Sequence, residues 1–201
     1  HDGTDAGTAA SASVTVDNTA PVLADVSLSP SDAVEGDTLT CTPGTASDAD
    51  GDTVTYTYAW SVAGSSISAT SSTLDDTFWD KGDAVFCSVT PDDGTDSGTA
   101  VASNTVTIGN TPPELSSASI SPASPVVSDS LTCSPGTASD VDGDTVSYSY
   151  EWRVGGTVVG TSSTLSSGFV KGDAVTCTIT PDDGTDDGDS VEDTVSVGNS
   201  A

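Results

Sequence analysis

Apolar and polar residues alternate with a period of two along much of the chain. The clearest run extends from Thr53 to Val62, and the residues of its apolar face are Val54, Tyr56, Tyr58, Trp60 and Val62. A second run repeats the pattern with Val146, Tyr148, Tyr150, Trp152 and Val154. Such alternation predicts β-strands with one packed face and one solvent-facing face, as in a β-sandwich.

Shorter alternating runs predict further strands in the first half of the chain. Their apolar residues are Val26 and Leu28, then Leu39 and Cys41, then Val85, Cys87 and Val89, and finally Val106 and Ile108. Turn-forming pairs such as Pro43-Gly44, Asp50-Gly51 and Asp93-Gly94 separate them. The pattern predicts about seven short strands per unit and no helix.

The sequence contains an internal repeat. TLTCTPGTASDADGDTVTYTYAWS, from Thr38, returns from Ser130 as SLTCSPGTASDVDGDTVSYSYEWR, and KGDAVFCSVTPDDGTDSG, from Lys81, returns from Lys171 as KGDAVTCTITPDDGTDDG. We therefore divide the chain into a first repeat at 21–110 and a second at 111–201, each of a common domain size. Residues 1–20 match the end of a repeat, from Pro91 to Pro113. They are expected to be the terminal strand of a preceding repeat in a longer array or, alternatively, a donor strand for a neighbouring molecule.

The charge is strongly acidic. The chain of 201 residues carries 31 Asp and Glu against 3 Lys and Arg, a net charge of −28. This balance excludes ordinary nucleic-acid binding, which depends on many cationic side chains, and disfavours anionic membrane surfaces. No run of 18 apolar residues is present, so no membrane insertion is expected.

The four cysteines, at 41, 87, 133 and 177, lack the C-x-x-C spacing of zinc sites. An even number with this spacing indicates two disulfides, and disulfides indicate an oxidising compartment. We therefore expect the protein to be extracellular or on the cell surface.

Each unit has the order Cys, Trp, Cys, together with the segments SDADGDTVTYTYAW or SDVDGDTVSYSYEW and TPDDGTD. In these features the units resemble bacterial extracellular immunoglobulin-like repeats of the PKD and cadherin-like type. The resemblance implies an all-β fold of tandem immunoglobulin-like β-sandwiches, each with an inter-sheet disulfide beside its Trp: Cys41 with Cys87, and Cys133 with Cys177. Val85 and Val175 stand where an antibody-type domain has a Tyr, which argues for the bacterial branch.

Two aspartate-rich loops in each unit are candidate calcium sites. In the first repeat they contribute Asp48, Asp50, Asp52, Asp92, Asp93 and Asp96, and in the second Asp140, Asp142, Asp144, Asp182, Asp183 and Asp186. Alternating carboxylates around a glycine turn offer the hard oxygen ligands that Ca²⁺ prefers. The B–C and F–G loops emerge at the same end of a sandwich, so six carboxylates are expected at one tip, facing the preceding repeat. The alternative is that these residues form Asx-turns and solvate the loops.

Other motifs carry less chemistry. Lys81-Gly82-Asp83 resembles an integrin-type tripeptide, but its return at Lys171 favours a structural turn whose lysine pairs with nearby Asp. No catalytic constellation is evident, because the only His is His1 and the cysteines are expected to be bridged. The protein is therefore not expected to be an enzyme. Trp79 is a candidate for stacking on a sugar or, alternatively, for burial.

The pattern as a whole predicts a non-catalytic structural repeat acting as a rigid spacer, stalk or fibre segment, with Ca²⁺ as its expected cofactor. Its partners would be neighbouring repeats of the same chain or copies of itself. One alternative is a filament subunit that donates residues Thr8 to Val16 to the next molecule. Another is an adhesion module that binds a glycan or a surface protein.

Overall fold

The structure is a computed structural model that describes residues 9–199. Its regular elements are almost all β-strands. The first repeat contains β1 (Val22–Leu23), β2 (Val26–Ser29), β3 (Thr38–Pro43), β4 (Ala46–Ser47), β5 (Thr55–Val62), β6 (Ser65–Ile67), β7 (Thr73–Asp75), β8 (Ala84–Asp92), β9 (Val101–Ala102) and β10 (Val106–Thr107). The second contains β11 (Glu114–Leu115), β12 (Ala118–Ser121), β13 (Leu131–Pro135), β14 (Ala138–Ser139), β15 (Ser147–Val154), β16 (Thr157–Gly160), β17 (Thr164–Leu165), β18 (Ala174–Asp182) and β19 (Val191–Ser196).

Both repeats use the same antiparallel sheets. In the first, one sheet has the order β2-β3-β7 and the other the order β10-β8-β5-β6, with β9 also paired to β8. In the second, the sheets are β12-β13-β17 and β16-β15-β18-β19. Small pairs, β1 with β4 and β11 with β14, complete the repeats. The prediction of tandem immunoglobulin-like β-sandwiches is confirmed.

A disulfide and a tryptophan form the centre of each core. Cys41 on β3 bonds to Cys87 on β8, and Cys133 on β13 bonds to Cys177 on β18, so each bridge joins the two sheets. Trp60 is 2% exposed and lies opposite Cys87 in the strand register. Its indole N–H donates to the carbonyl of Ser71 at 2.8 Å. Each bridge closes a loop of 46 or 44 residues, which is worth about 4 kcal/mol on the loop-closure estimate.

The strand pattern holds with local differences. β5 begins at Thr55, two residues later than the alternation suggests, because Asp50 to Val54 belong to a loop. Ser61, expected on the exposed face, is buried with 9% exposure. No helix was predicted, but the structure has one short 3-10 turn, Asp76–Phe78. The side chain of Asp75 caps this turn by accepting a hydrogen bond from the Thr77 N–H. Among residues 9–199, no helix is long and apolar enough to cross a membrane.

The segment before the first repeat is only partly described. Residues 9–20 carry no strand assignment, and residues 1–8, with the start of the predicted donor strand, lie outside the described residues. Val14 and Val16 are 89% and 82% exposed, whereas the matching Val106 and Ile108 are 1% and 2% exposed. Strand donation therefore stays a prediction.

Candidate functional site

The B–C loop of each repeat, between β4 and β5 or between β14 and β15, is folded around its own first aspartate. The backbone N–H groups of Asp50 and Asp52 donate to Asp48 Oδ1 at 2.9 and 3.0 Å, and Gly51 supplies the positive φ of 83° that the turn requires. In the second repeat the N–H of Asp144 donates to Asp140 Oδ1 at 3.1 Å. Because the first aspartate satisfies these backbone N–H groups, Asp50 and Asp142 can accept hydrogen bonds from outside the loop.

The F–G loop follows β8 or β18 and is folded in the same way. Asp93 Oδ1 accepts from the N–H groups of Thr95 and Asp96 at 2.7 and 2.8 Å, and Asp183 Oδ1 accepts from Thr185 and Asp186 at the same distances. Asp92 and Asp182 cap this loop by accepting from Gly94 and Gly184. The second oxygens of Asp93 and Asp183 therefore face the linker.

The side-chain amide of each linker asparagine binds the F–G loop of the repeat that follows it. Asn18 Nδ2 donates to Asp93 Oδ2 and Asp96 Oδ2, at 2.9 Å each. Asn110 Nδ2 donates to Asp183 Oδ2 and Asp186 Oδ2, also at 2.9 Å each. A single amide thus joins two carboxylates that would otherwise repel each other.

The next linker residue completes the contact with the B–C loop. The N–H of Thr19 donates to Asp50 Oδ2 and that of Thr111 donates to Asp142 Oδ2, each at 2.7 Å. The carboxylate tip of each repeat therefore binds the chain that enters it. We call this set of linker and loop contacts the junction.

Within residues 9–199, the junction between the two repeats contains a lysine and the junction at Asn18 does not. Lys81, in the loop before β8, forms an ion pair with Asp144 of the second repeat, and its Nζ donates to Asn110 Oδ1 at 2.6 Å. The hydrogen bond to Asp144 raises the pKa of Lys81, and the charges of Asp144, Asp142 and Asp183 add to this effect. The ammonium therefore stays charged and links the first repeat, the linker and the second repeat.

Three carboxyl groups of the junctions have shifted pKa values. The pKa of Asp93 is lowered, first by the Asp96 N–H and then by the amide of Asn18. The pKa of Asp183 is lowered in the same way, first by the Asp186 N–H and then by Asn110. The pKa of Glu35 is raised, first by burial and then by the charge of Asp142. The carboxyl group of Glu35 in the first repeat is therefore sensitive to the negative charge of Asp142 in the second repeat.

The twelve candidate ligands separate into the carboxylates of the B–C loops and those of the F–G loops. Within the described residues, oxygen atoms of Asp140, Asp142 and Asp144 lie within 4.8 Å of one another, which is a spacing that one cation can bridge. Asp140 Oδ2, Asp142 Oδ1 and Thr111 Oγ1 are inaccessible to solvent and have no hydrogen-bond partner, and in the first repeat the same is true of Asp48 Oδ2. The F–G carboxylates instead bind their own loops and Asn110. The structure therefore does not gather six carboxylates around one point.

The other candidate residues belong to the core or to turns. Trp79 is 4% exposed and belongs to the core, as does Phe169 at the matching position, so neither offers a ring face to a sugar. Lys81-Gly82-Asp83 lies at a turn in which Asp83 Oδ2 accepts from the Asp80 N–H at 3.0 Å. In the second repeat Asp173 does the same for Val170 at 2.8 Å.

Sequence reasoning placed Lys81 in a turn where it pairs with nearby Asp, but it did not predict that this Asp belongs to the next repeat. It also did not predict that the linker asparagines bind the F–G loops. The signal was available, because Asn-Thr precedes both repeats and a lysine recurs at one position in each. The sequence does not show which way each side chain points across the boundary between the repeats.

Comparison with solved structures gives neighbours of low sequence identity. The three N-terminal domains of the bacteriophage RB49 Highly Immunogenic Outer Capsid protein (Hoc) are 19% identical with a TM-score of 0.36, over 87% of this chain and 59% of that one. A two-domain fibronectin type III segment of chicken tenascin is 14% identical with a TM-score of 0.45, over 90% and 100%. The FN1–FN3 domains of chicken CNTN1 are 10% identical with a TM-score of 0.36, over 87% and 65%.

At these identities the likeness concerns the fold alone, and the chain spans less than two thirds of the first and third of these neighbours. No protein-family model matches the sequence, and no curated protein matches it. The sandwiches and their disulfides define the chain as a tandem of immunoglobulin-like domains.

Proposed function

We propose that the chain is a spacer segment of an extracellular repeat protein, in which the junction holds neighbouring repeats in a fixed relative orientation. The observation that carries this proposal is the junction between the repeats. Lys81, Asn110 and Thr111 contact Asp142, Asp144, Asp183 and Asp186 of the second repeat. The disulfides support an extracellular location, since such bridges persist in oxidising compartments.

Several weak contacts can hold two domains when they act together. A single exposed ion pair contributes little, but here its ammonium is also bound to the linker amide, and that amide bridges two carboxylates. Bending at the junction would break all of these contacts at once. The linker is therefore expected to behave as part of the second repeat.

The test is the alignment of the two repeats in solution, from residual dipolar couplings of the backbone amides. We expect one alignment tensor to fit both repeats of the native chain. In the double variant Lys81→Gln, Asn110→Ala each repeat should require its own tensor. Lys171→Gln removes the matching lysine of the second repeat and is the control, for which one tensor should still suffice. Two independent tensors in the native chain would overturn the proposal.

Calcium would add to this junction through the B–C loop of the second repeat. The supporting observation is the set of unpartnered oxygens of Asp140, Asp142 and Thr111, which are hard ligands shielded from water. Ligands 2.3–2.6 Å from an ion lie at most about 5 Å apart, which fits this cluster. Lys81 already neutralises Asp144, so Asp140 and Asp142 would be the ligands that calcium uses.

Calcium binding can be measured from amide chemical shifts. Added Ca²⁺ should move the signals of residues 140–144 in a saturable way, while K⁺ at equal ionic strength should not. Asp140→Asn should abolish the saturable shift, and Asp48→Asn, at the matching position of the first repeat, should leave it intact. Spectra that respond equally to both salts would contradict calcium binding.

A second candidate function, strand donation to another molecule, is favoured by the exposure of Val14 and Val16. Their counterparts in both repeats are core residues: Val106 and Val195 pair with the strands that carry the second cysteines. Sedimentation over a range of concentrations tests this function. Association of the full chain that is lost in Val14→Asp, Val16→Asp would support donation, and a monomer at all concentrations would exclude it.

A further inference from the structure

The far end of the second repeat has the same backbone as the part of the first repeat that enters the junction. In the first repeat the Gly82 N–H donates to the Ile108 carbonyl, and the Ile108 N–H donates to the Asp83 carbonyl, both at 2.9 Å. In the second, Gly172 donates to Val197 and Val197 to Asp173, again at 2.9 Å. Gly109 and Gly198 also donate to equivalent carbonyls at 2.7 Å each. We call Lys171, Gly172, Gly198 and Asn199 the end face.

The end face presents two of the side chains that make the junction. Lys171 matches Lys81, Asn199 matches Asn110, and both are exposed. Within the described part of the chain Lys171 forms no ion pair, although it is one of only three cationic side chains in a chain of net charge −28. A lysine and an asparagine are therefore presented at the end of the repeat opposite to its own acidic tip.

One difference makes the end face a better partner for carboxylates than its counterpart. Where the first repeat has Glu35, whose pKa is raised by burial and by the charge of Asp142, the second repeat has Val127, which is 47% exposed. The equivalence rests on matching turns: Asp37 accepts from the Val34 N–H at 3.0 Å, and Asp129 accepts from the Val126 N–H at 2.8 Å. One source of like-charge repulsion is thereby absent.

We propose that the end face is a docking surface for the acidic tip of a further repeat of this type. Its partner is a sandwich that carries D-x-D-G-D in the B–C loop and P-D-D-G-T-D in the F–G loop. Lys171 pairs with the third aspartate of the B–C loop, and the Asn199 amide bridges two aspartates of the F–G loop. Charge complementarity and the junction already present in the chain select this partner. The inference rests on the proposed function, because it takes the Lys81 junction as its template.

The test uses the full chain with an added repeat. Residues 111–199 are appended after Asn199, so that Thr111 follows Asn199 as it follows Asn110, and the appended copy carries Lys171→Arg. A zero-length carbodiimide then couples only lysines that touch carboxylates, and mass spectrometry maps the links in the monomer. The Lys81 to Asp144 link is the internal reference.

We expect Lys171 to couple to the appended copy's equivalent of Asp144 with the same yield as the reference link. Asn199→Ala should lower the Lys171 yield by about tenfold, the weight of a lost hydrogen bond to a charged group, without changing the reference. A reference link without a Lys171 link overturns docking by the end face and leaves the proposed function intact. Loss of the reference link overturns both. If the Lys171 link is insensitive to Asn199→Ala, Lys171 couples through random encounters of a flexible side chain, and this result also overturns the inference.

Discussion

The two B–C loops have nearly the same sequence but different surroundings, and the difference shows what a preceding repeat adds. Both receive a linker threonine N–H at 2.7 Å. The first aspartate of each loop, Asp48 or Asp140, is partly buried in both repeats. Asp50 and Asp52 are exposed, whereas Asp142 and Asp144 are partly buried, and Asp144 pairs with Lys81. The linker contacts are thus encoded within each repeat and its linker, while the lysine comes from the body of the preceding repeat.

The largest expected effect separates the stabilities of the two sandwiches. Replacing Cys133 and Cys177 by Ala should destabilise the second repeat by about 2–5 kcal/mol, because the open loop regains entropy in the unfolded state. Calorimetry should then show two transitions, with the second repeat melting first. The matched variant, Cys41→Ala with Cys87→Ala, should reverse the order. A single joint transition in both variants would show that the sandwiches do not unfold separately.

A smaller effect compares the two linker asparagines. Asn110→Ala should weaken the junction by about 1 kcal/mol, since two carboxylates lose the amide that bridges them. Asn18→Ala should cost the first repeat a similar amount, because its distances are identical. Denaturant unfolding followed by tryptophan fluorescence gives both values. A cost at Asn110 alone would mean that Lys81 is needed for the asparagine to contribute.

A gain of stability is expected at one hairpin. Ala63 has a φ of +48° in the β5–β6 turn, where the second repeat has Gly155 at +54°. Because a left-handed conformation is strained for alanine, Ala63→Gly should stabilise the first repeat by about 0.5–1 kcal/mol. Gly155→Ala should destabilise the second by a similar amount. Thermal unfolding measures both, and equal melting temperatures for Ala63→Gly and the native chain would contradict the argument.

The smallest effect appears only in acid. The folded pKa values of Asp93 and Asp183 lie below the ordinary 3.8, so their contribution is complete above that pH and is lost as pH falls through the lowered values. Both junctions should therefore loosen below about pH 4 and be unchanged between pH 5 and 8. Dipolar couplings measured across this range provide the check. Loosening near neutral pH would contradict the assignment.

The fold was predictable because its signals are local and repeated. Alternation around Trp60 and Trp152 placed the central strands, and the spacing of the cysteines indicated a known sandwich with an inter-sheet bridge. The tip of aspartates was predictable for the same reason. The sequence could not predict which of these aspartates bind the linker, because whether Asp183 turns toward an ion or toward Asn110 depends on geometry across the boundary between repeats. The burial of Ser61 and Trp79 likewise depends on packing between distant segments.

Asn110 follows the last strand of the first repeat, and its side-chain amide binds the F–G loop of the second. Every unit is therefore completed partly by its neighbour, and the boundary between units in the chain does not coincide with the boundary between contacts. A duplication of one whole period, wherever its breakpoints fall, would place an Asn-Thr linker before the aspartate loops of the added repeat. In the spacer role proposed above, an array of this kind would change its length by recombination without any compensating substitution, so that its reach would be selected by copy number rather than by sequence.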